Sequence, residues 1–129
     1  MRLLLVVIGG AFACGLFAHA SASGIAAPMA DRRPAAIATG KLLFRNNCAI
    51  CHKASGVGGI HFGKVASANL QSPHLEMVYH NKDSLIARAI IDAEDQHDRP
   101  LNHVMPAWRG RLTGMQVQDI IAYLRTLHA

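Results

Sequence analysis

One short motif constrains this chain more than any other feature: two cysteines and a histidine in the order Cys48-Ala49-Ile50-Cys51-His52. Cysteines at this spacing serve in thiol–disulfide exchange, as half of a structural zinc site, or in attachment of a c-type haem when a histidine follows directly. A thiol-exchange pair belongs to a strand–helix context, whereas the residues ahead of Cys48 have helical periodicity. The later histidines offer no second ligand pair at zinc-knuckle spacing.

The motif therefore predicts haem attachment. Thiols at i and i+3 lie on one side of a helical turn, where Cys48 and Cys51 can each form a thioether with a haem vinyl group. The next residue, His52, is then held beneath the iron as an axial ligand. This interpretation implies one covalently attached haem c.

The first 20 residues have the three parts of a secretory signal peptide: Arg2, an apolar run from Leu3 to Ala18, and small residues at the end. Cleavage is expected after Ala20, with cleavage after residue 23 as the alternative. Residues 21–34 are then a flexible N-terminal segment, and 35–129 form one domain. A chain with such a signal peptide is expected in the periplasm.

Two alternatives to cleavage keep the chain at a membrane. The apolar run would be an uncleaved anchor, but it is shorter than the roughly 20 residues that span a bilayer. Lipidation of Cys14 is disfavoured by the bulky Phe12 and by the apolar residues that follow. Cleavage would leave Cys48 and Cys51 as the only cysteines, which excludes a multi-disulfide scaffold.

A second iron ligand, on the opposite side from His52, is expected further along the chain. Pro106 holds its predecessor in an extended conformation, so Met105 lies on irregular backbone from which its thioether can reach a flat cofactor. Met29, Met77 and Met115 are rivals, and His103 would give bis-histidine ligation. Met105 is the preferred axial ligand opposite His52.

Three helices are predicted from apolar residues at helical spacing. The first runs from about Pro34 to Asn47 and contains Gly40. The second covers about 82–93 behind Asn81 as N-cap, and the third follows a capping box of Thr113 and Gln116. No segment has a convincing strand pattern, and long loops are expected at 53–80 and 94–112. The fold class is all-α.

These segments together resemble a class I cytochrome c. The similarity covers roughly residues 35–128 and rests on four motifs: Gly40-Lys41-Leu42-Leu43-Phe44, Cys48-Ala49-Ile50-Cys51-His52, Met105-Pro106-Ala107-Trp108 and Ile120-Ile121-Ala122-Tyr123-Leu124. The resemblance implies three to five helices wrapped around one haem. It also implies that Gly40 and Phe44 contact Ile120 and Tyr123 where the terminal helices cross.

One position departs from the family pattern. Many relatives have a proline whose carbonyl accepts the hydrogen bond of the axial histidine, and Ala68 stands at that position here. A backbone carbonyl accepts regardless of its side chain, so His52 Nδ1–H is expected to bond a main-chain oxygen.

The function that the resemblance implies is one-electron transfer rather than enzymatic catalysis. A periplasmic carrier would pass electrons from a dehydrogenase or upstream cytochrome to a terminal oxidase or other acceptor in a respiratory chain. The alternatives are a haem subunit of a dehydrogenase or oxidase complex and a gas-binding or peroxidatic haem protein.

The expected partners are redox proteins, and the charge of the chain bears on their surfaces. The chain has thirteen lysines and arginines against eight acidic residues, and basic residues in loops near the haem-bearing segments could steer a partner with an acidic docking surface; these are Lys53, Lys64, Arg109 and Arg111. Nucleic acid is not an expected partner of an exported chain without a basic stripe, and membrane contact would be transient. Arg88 or Arg109 could meet a haem propionate, or be surface charges.

Overall fold

The computed structural model describes residues 29–128, and the regular secondary structure of this part of the chain is mainly helical. The helices are α1 (Met29–Asn47), α2 (Ala49–His52), α3 (Ser72–Val78), α4 (Asp83–Asp92) and α5 (Gly114–Leu124). A two-stranded antiparallel hairpin joins β1 (His61–Phe62) to β2 (Val65–Ala66). The expected all-α class is confirmed. The expected signal peptide, its two cleavage sites and Cys14 lie outside the described residues.

Helix α1 begins earlier than its sequence pattern indicates. It starts at Met29, so Pro34 lies inside the helix rather than in its first turn, and the end of the segment 21–34 is helical. Proline has no N–H, so the ladder bond that residue 34 would otherwise donate to the carbonyl of Ala30 is lost at this point. No helix within residues 29–128 is long and apolar enough to cross a membrane.

The stretch 53–80 is not the continuous loop that was expected. The hairpin has two residues per strand and turns through Gly63, whose φ is 65°, so it is too short to show alternation in sequence. Helix α3 covers two turns and buries Leu75, with Pro73 in its first turn. A helix this short presents no periodic apolar stripe.

The start of α4 also differs from the prediction. Lys82 is the N-cap residue, without a side-chain cap, and Asn81 is not. Both His80 and Asn81 adopt left-handed backbone conformations, with φ of 53° and 57°, a region that asparagine and histidine tolerate better than most residues. Asn81 therefore reverses the chain between α3 and α4 instead of capping a helix.

The crossing of α1 and α5 is the centre of the fold. Phe44 and Tyr123 pack with ring centroids 5.4 Å apart and planes tilted by 56°. An ideal Cβ on Gly40 would lie 1.8 Å from the Asp119 carbonyl oxygen and 3.0 Å from the Ile120 nitrogen. The expected close approach at Gly40 is confirmed. So is the capping box of α5, in which Thr113 and Gln116 exchange side-chain and backbone hydrogen bonds.

Candidate functional site

A cavity of about 460 Å³ lies between α2, the 62–70 segment, α4 and the loop that follows it. This volume is within the range of roughly 300–1,000 Å³ found for small-molecule and cofactor sites. Its walls are mainly apolar and aromatic, and they include Phe44, Phe62, Tyr79 and Trp108. The same cavity is lined by all four sequence-predicted site residues: Cys48, Cys51, His52 and Met105.

His52 ends α2 and is only 8% exposed. Its Nδ1 lies 2.9 Å from the carbonyl oxygen of Ala68. A carbonyl oxygen can only accept, so Nδ1 carries the proton of this bond and the lone pair of the neutral ring is on Nε2. That is the arrangement that fixes the ring of a metal-ligating histidine and makes its free nitrogen a better ligand. The main-chain acceptor expected from the sequence is confirmed, and it is Ala68.

The position of the Ala68 carbonyl depends on a glycine that the sequence analysis did not single out. Gly58 has a φ of 65°, and a Cβ there would lie 2.2 Å from the Ala68 oxygen. Neighbouring hydrogen bonds hold Gly58 in place: Gly59 N–H donates to the Ser67 carbonyl, and Gly58 N–H donates to the carbonyl of His52 itself. The signal in the sequence is the run Gly56-Val57-Gly58-Gly59 directly after the motif.

Cys48 and Cys51 lie on one helical turn, and the Cys51 N–H donates to the Cys48 carbonyl over 3.1 Å. Burial raises the pKa of the Cys48 thiol to about 11, and the nearby Cys51 adds to this shift. A thiol that stays protonated at neutral pH is a poor nucleophile for disulfide exchange. Nor do residues 29–128 contain a group of three or more histidine, cysteine or acidic side chains placed to hold a metal ion. Both cysteines line the cavity, as thioether attachment of a haem would require.

Met105 lines the cavity, and two of the rival methionines do not. Met77 and Met115 are 68% and 62% exposed, and neither lines it. The side chain of Met29 lies outside the described residues, and His103 is exposed and does not line the cavity. A turn presents Met105: its N–H donates to the Asn102 carbonyl over 2.8 Å.

The loop that carries Met105 is held by ion pairs and hydrogen bonds. Asp95 accepts hydrogen bonds from the backbone N–H groups of His97 and Arg99 and from the Arg99 side chain. Arg88 pairs with Asp98, and Arg109 pairs with Asp92. Neither Arg88 nor Arg109 lines the cavity, so their contacts fix the loop to α4.

Asp95 makes the stability of this loop depend on pH. Desolvation opposes its ionisation, but the hydrogen bonds from Arg99 and His97 outweigh it and lower the pKa of the carboxyl from 3.8 to about 2. A depressed folded-state pKa stabilises the protein above pH 3.8, and this contribution is lost as the pH falls towards 2. We expect Asp95→Asn to lower the melting temperature at pH 7. Between about pH 4 and pH 2, the melting temperature of the variant should fall less than that of the wild type. Equal declines in wild type and variant would contradict this role.

The cavity fits a haem in size, apolarity and donor set. It provides two thiols, an imidazole nitrogen and a thioether sulfur, and the last two are established axial ligands of haem iron. Trp108 also lines the cavity, and the Arg111 guanidinium lies over its ring, 5.9 Å from the ring centre.

Comparison with known proteins agrees with the fold and the cofactor expected from the sequence. The sequence profile of the family described as Cytochrome c matches residues 37–128. Cytochrome c6 of Parathermosynechococcus lividus is 37% identical over 90 residues, which cover 68% of this chain and 86% of that protein. Cytochrome c6 of Thermostichus vulcanus is 33% identical over 117 residues, which cover 88% of this chain and 83% of that protein.

Proposed function

Because this chain belongs to the cytochrome c family and carries one covalently bound haem c, we propose that Cys48 and Cys51 form its thioethers and that His52 and Met105 ligate its iron. The observation that carries this assignment is the single cavity lined by all four residues. Of the methionine side chains described between residues 32 and 128, Met105 is the one that lines it.

The haem supplies a one-electron ferric–ferrous couple when it is bound. The protein determines how that couple behaves. His52 is fixed by its hydrogen bond to Ala68 and cannot rotate away without breaking it. The Met105 sulfur is a neutral soft ligand, which raises the reduction potential. With His52 and Met105 both bound to the iron and apolar walls around them, the site would favour electron transfer over binding of a substrate at the iron.

The chain acts, in this proposal, as a periplasmic carrier in a respiratory chain. It takes electrons from a dehydrogenase or an upstream cytochrome and gives them to a terminal oxidase or another acceptor. Export is supported by the signal-peptide pattern of residues 1–20, and redox partners with acidic surfaces are supported by the excess of basic residues.

Replacement of Met105 tests the ligand assignment. Met105→Ala should abolish the near-infrared absorption band of the oxidised protein that marks sulfur–iron ligation, and it should lower the midpoint potential, because the thioether is lost. The variant should also bind added imidazole or cyanide much more readily than the wild type.

Met77→Ala is the matched control, since Met77 is exposed and lies outside the cavity. It should leave the band, the potential and the ligand affinity unchanged. Survival of the band in Met105→Ala would show that another side chain ligates the iron.

A further inference from the structure

The hydrogen bond that orients His52 is accepted by a carbonyl whose position depends on its neighbours. Ala68 supplies this oxygen, 2.9 Å from His52 Nδ1. Alanine leaves its own φ free, whereas the proline that many relatives have at this position would fix φ at about −65°. Gly58 packs against the Ala68 carbonyl but donates its N–H to the His52 carbonyl instead. The Ala68 carbonyl is therefore held through the residue before it, Ser67.

Ser67 is bonded to residues 59 and 60 through three of its atoms. Its carbonyl accepts from the Gly59 N–H over 2.9 Å, and its N–H donates to the Ile60 carbonyl over 2.9 Å. Its hydroxyl oxygen accepts from the Ile60 N–H over 3.0 Å. The first two bonds use backbone groups that nearly every residue type has. The third bond needs a side-chain oxygen, so it depends on the serine.

Ser67 also joins the hairpin to the histidine. The hairpin register places His61 opposite Ala66, so Ile60 and Ser67 are the next pair along the two chains. The residue that follows, Ala68, carries the carbonyl bonded to the histidine ring. A shift of Ser67 relative to the hairpin is therefore passed to that carbonyl along one residue of backbone.

We propose that Ser67 is a positioning residue for the iron ligand: its hydroxyl holds Ile60 and thereby keeps the Ala68 carbonyl within reach of His52 Nδ1–H. This inference rests on the ligation by His52 proposed above and adds the side chain that keeps its hydrogen bond strong. A strong bond from Nδ1–H makes the ring a better electron donor, which favours the ferric state and lowers the reduction potential. A loosely held acceptor has the opposite effect.

Exchange of the His52 Nδ1 proton with solvent reports on this bond directly. It is followed by NMR in the ferrous, diamagnetic holoprotein, and the midpoint potential is measured on the same samples by spectroelectrochemical titration. Ser67→Ala should speed the exchange about fivefold, the size expected when one ordinary hydrogen bond is lost. It should also raise the midpoint potential, so that the ratio of ferrous to ferric protein at a fixed applied potential rises about threefold.

Two further variants separate positioning from a general loss of stability. Ser67→Thr keeps a hydroxyl at the same position and should stay within about twofold of wild type in both measurements. Ser72→Ala removes a buried hydroxyl that is bonded to Glu76 outside the cavity. It should lower the free energy of unfolding about as much as Ser67→Ala does, but leave the proton exchange and the potential unchanged.

Three results would overturn the proposal. The first is an unchanged exchange rate and potential in Ser67→Ala. The second is an equal change in Ser67→Ala and Ser72→Ala, which would show a loss of stability alone. The third is a change that Ser67→Thr does not restore, which would show that the hydroxyl is not the group responsible. A failure of the His52 ligation itself is distinguishable, because the wild-type ring protons would then lack the upfield shift that the ring current of a haem causes in an axial ligand.

Discussion

Gly40→Ala is expected to destabilise the folded holoprotein by about 3 kcal/mol, at the upper end of the cost of overpacking a core. The added Cβ would lie 1.8 Å from the Asp119 carbonyl oxygen and 2.4 Å from its carbon, so both obstacles are backbone atoms. Backbone cannot move aside as a flexible side chain does, and α1 and α5 would have to separate. The gain in helix propensity, about 1 kcal/mol, is too small to offset this. Denaturant unfolding followed by circular dichroism measures the difference.

Gly114→Ala is the matched control for this variant. Gly114 begins α5, its φ is not in the left-handed region, and a Cβ there would meet nothing within 4 Å. It should change the free energy of unfolding by less than about 1 kcal/mol, in the stabilising direction, because alanine has the higher helix propensity. If Gly40→Ala were equally harmless, close contact of the two helices would not be what Gly40 provides.

Cys48→Ala/Cys51→Ala is expected to convert a permanently attached haem into an extractable one. Acidified acetone should remove all haem from the double variant and none from the wild type, because thioether bonds survive this treatment and axial coordination does not. The measurement is the haem absorbance that remains with the precipitated protein.

The single variants guard against a double variant that fails to mature. Cys48→Ala and Cys51→Ala should each retain haem through one thioether, and each should shift the pyridine haemochrome band away from its wild-type position. Full retention of haem by the double variant, or complete loss from both single variants, would contradict the attachment proposed for these residues.

The parts of the fold that were predictable are those with a local physical cause. The capping box of Thr113 and Gln116 involves neighbours along the chain, so its sequence pattern is sufficient to predict it. The core face of α5 follows from apolar side chains at helical spacing, and Val117, Ile120 and Ile121 are buried accordingly. The close approach at Gly40 was expected from the family resemblance, and the packing against Asp119 supplies its reason.

The errors occurred where short elements depend on contacts far away in sequence. Asn81 has a side chain suited to an N-cap. The reversal between α3 and α4 instead places it in a left-handed conformation, one residue before the N-cap residue Lys82. The hairpin and α3 are too short to produce a periodic apolar pattern in the sequence. Their positions depend on their packing against the rest of the fold. The role of Gly58 could not be predicted from its neighbours in sequence, because it depends on residues 67–68 folding against it.

The chemistry of the site could be predicted from the sequence, because Cys48, Cys51 and His52 lie within five residues and their spacing places them on one helical turn. The tertiary structure was needed to identify the acceptor of the His52 ring N–H and to show that Met105, which the sequence already favoured, lies with the motif in one cavity. It placed the Ala68 carbonyl against His52 and Met105, not Met77 or Met115, in the cavity. The reason is that local spacing fixes neighbours within a turn, whereas contacts between segments depend on how loops close and on which side chains the packed helices leave room for.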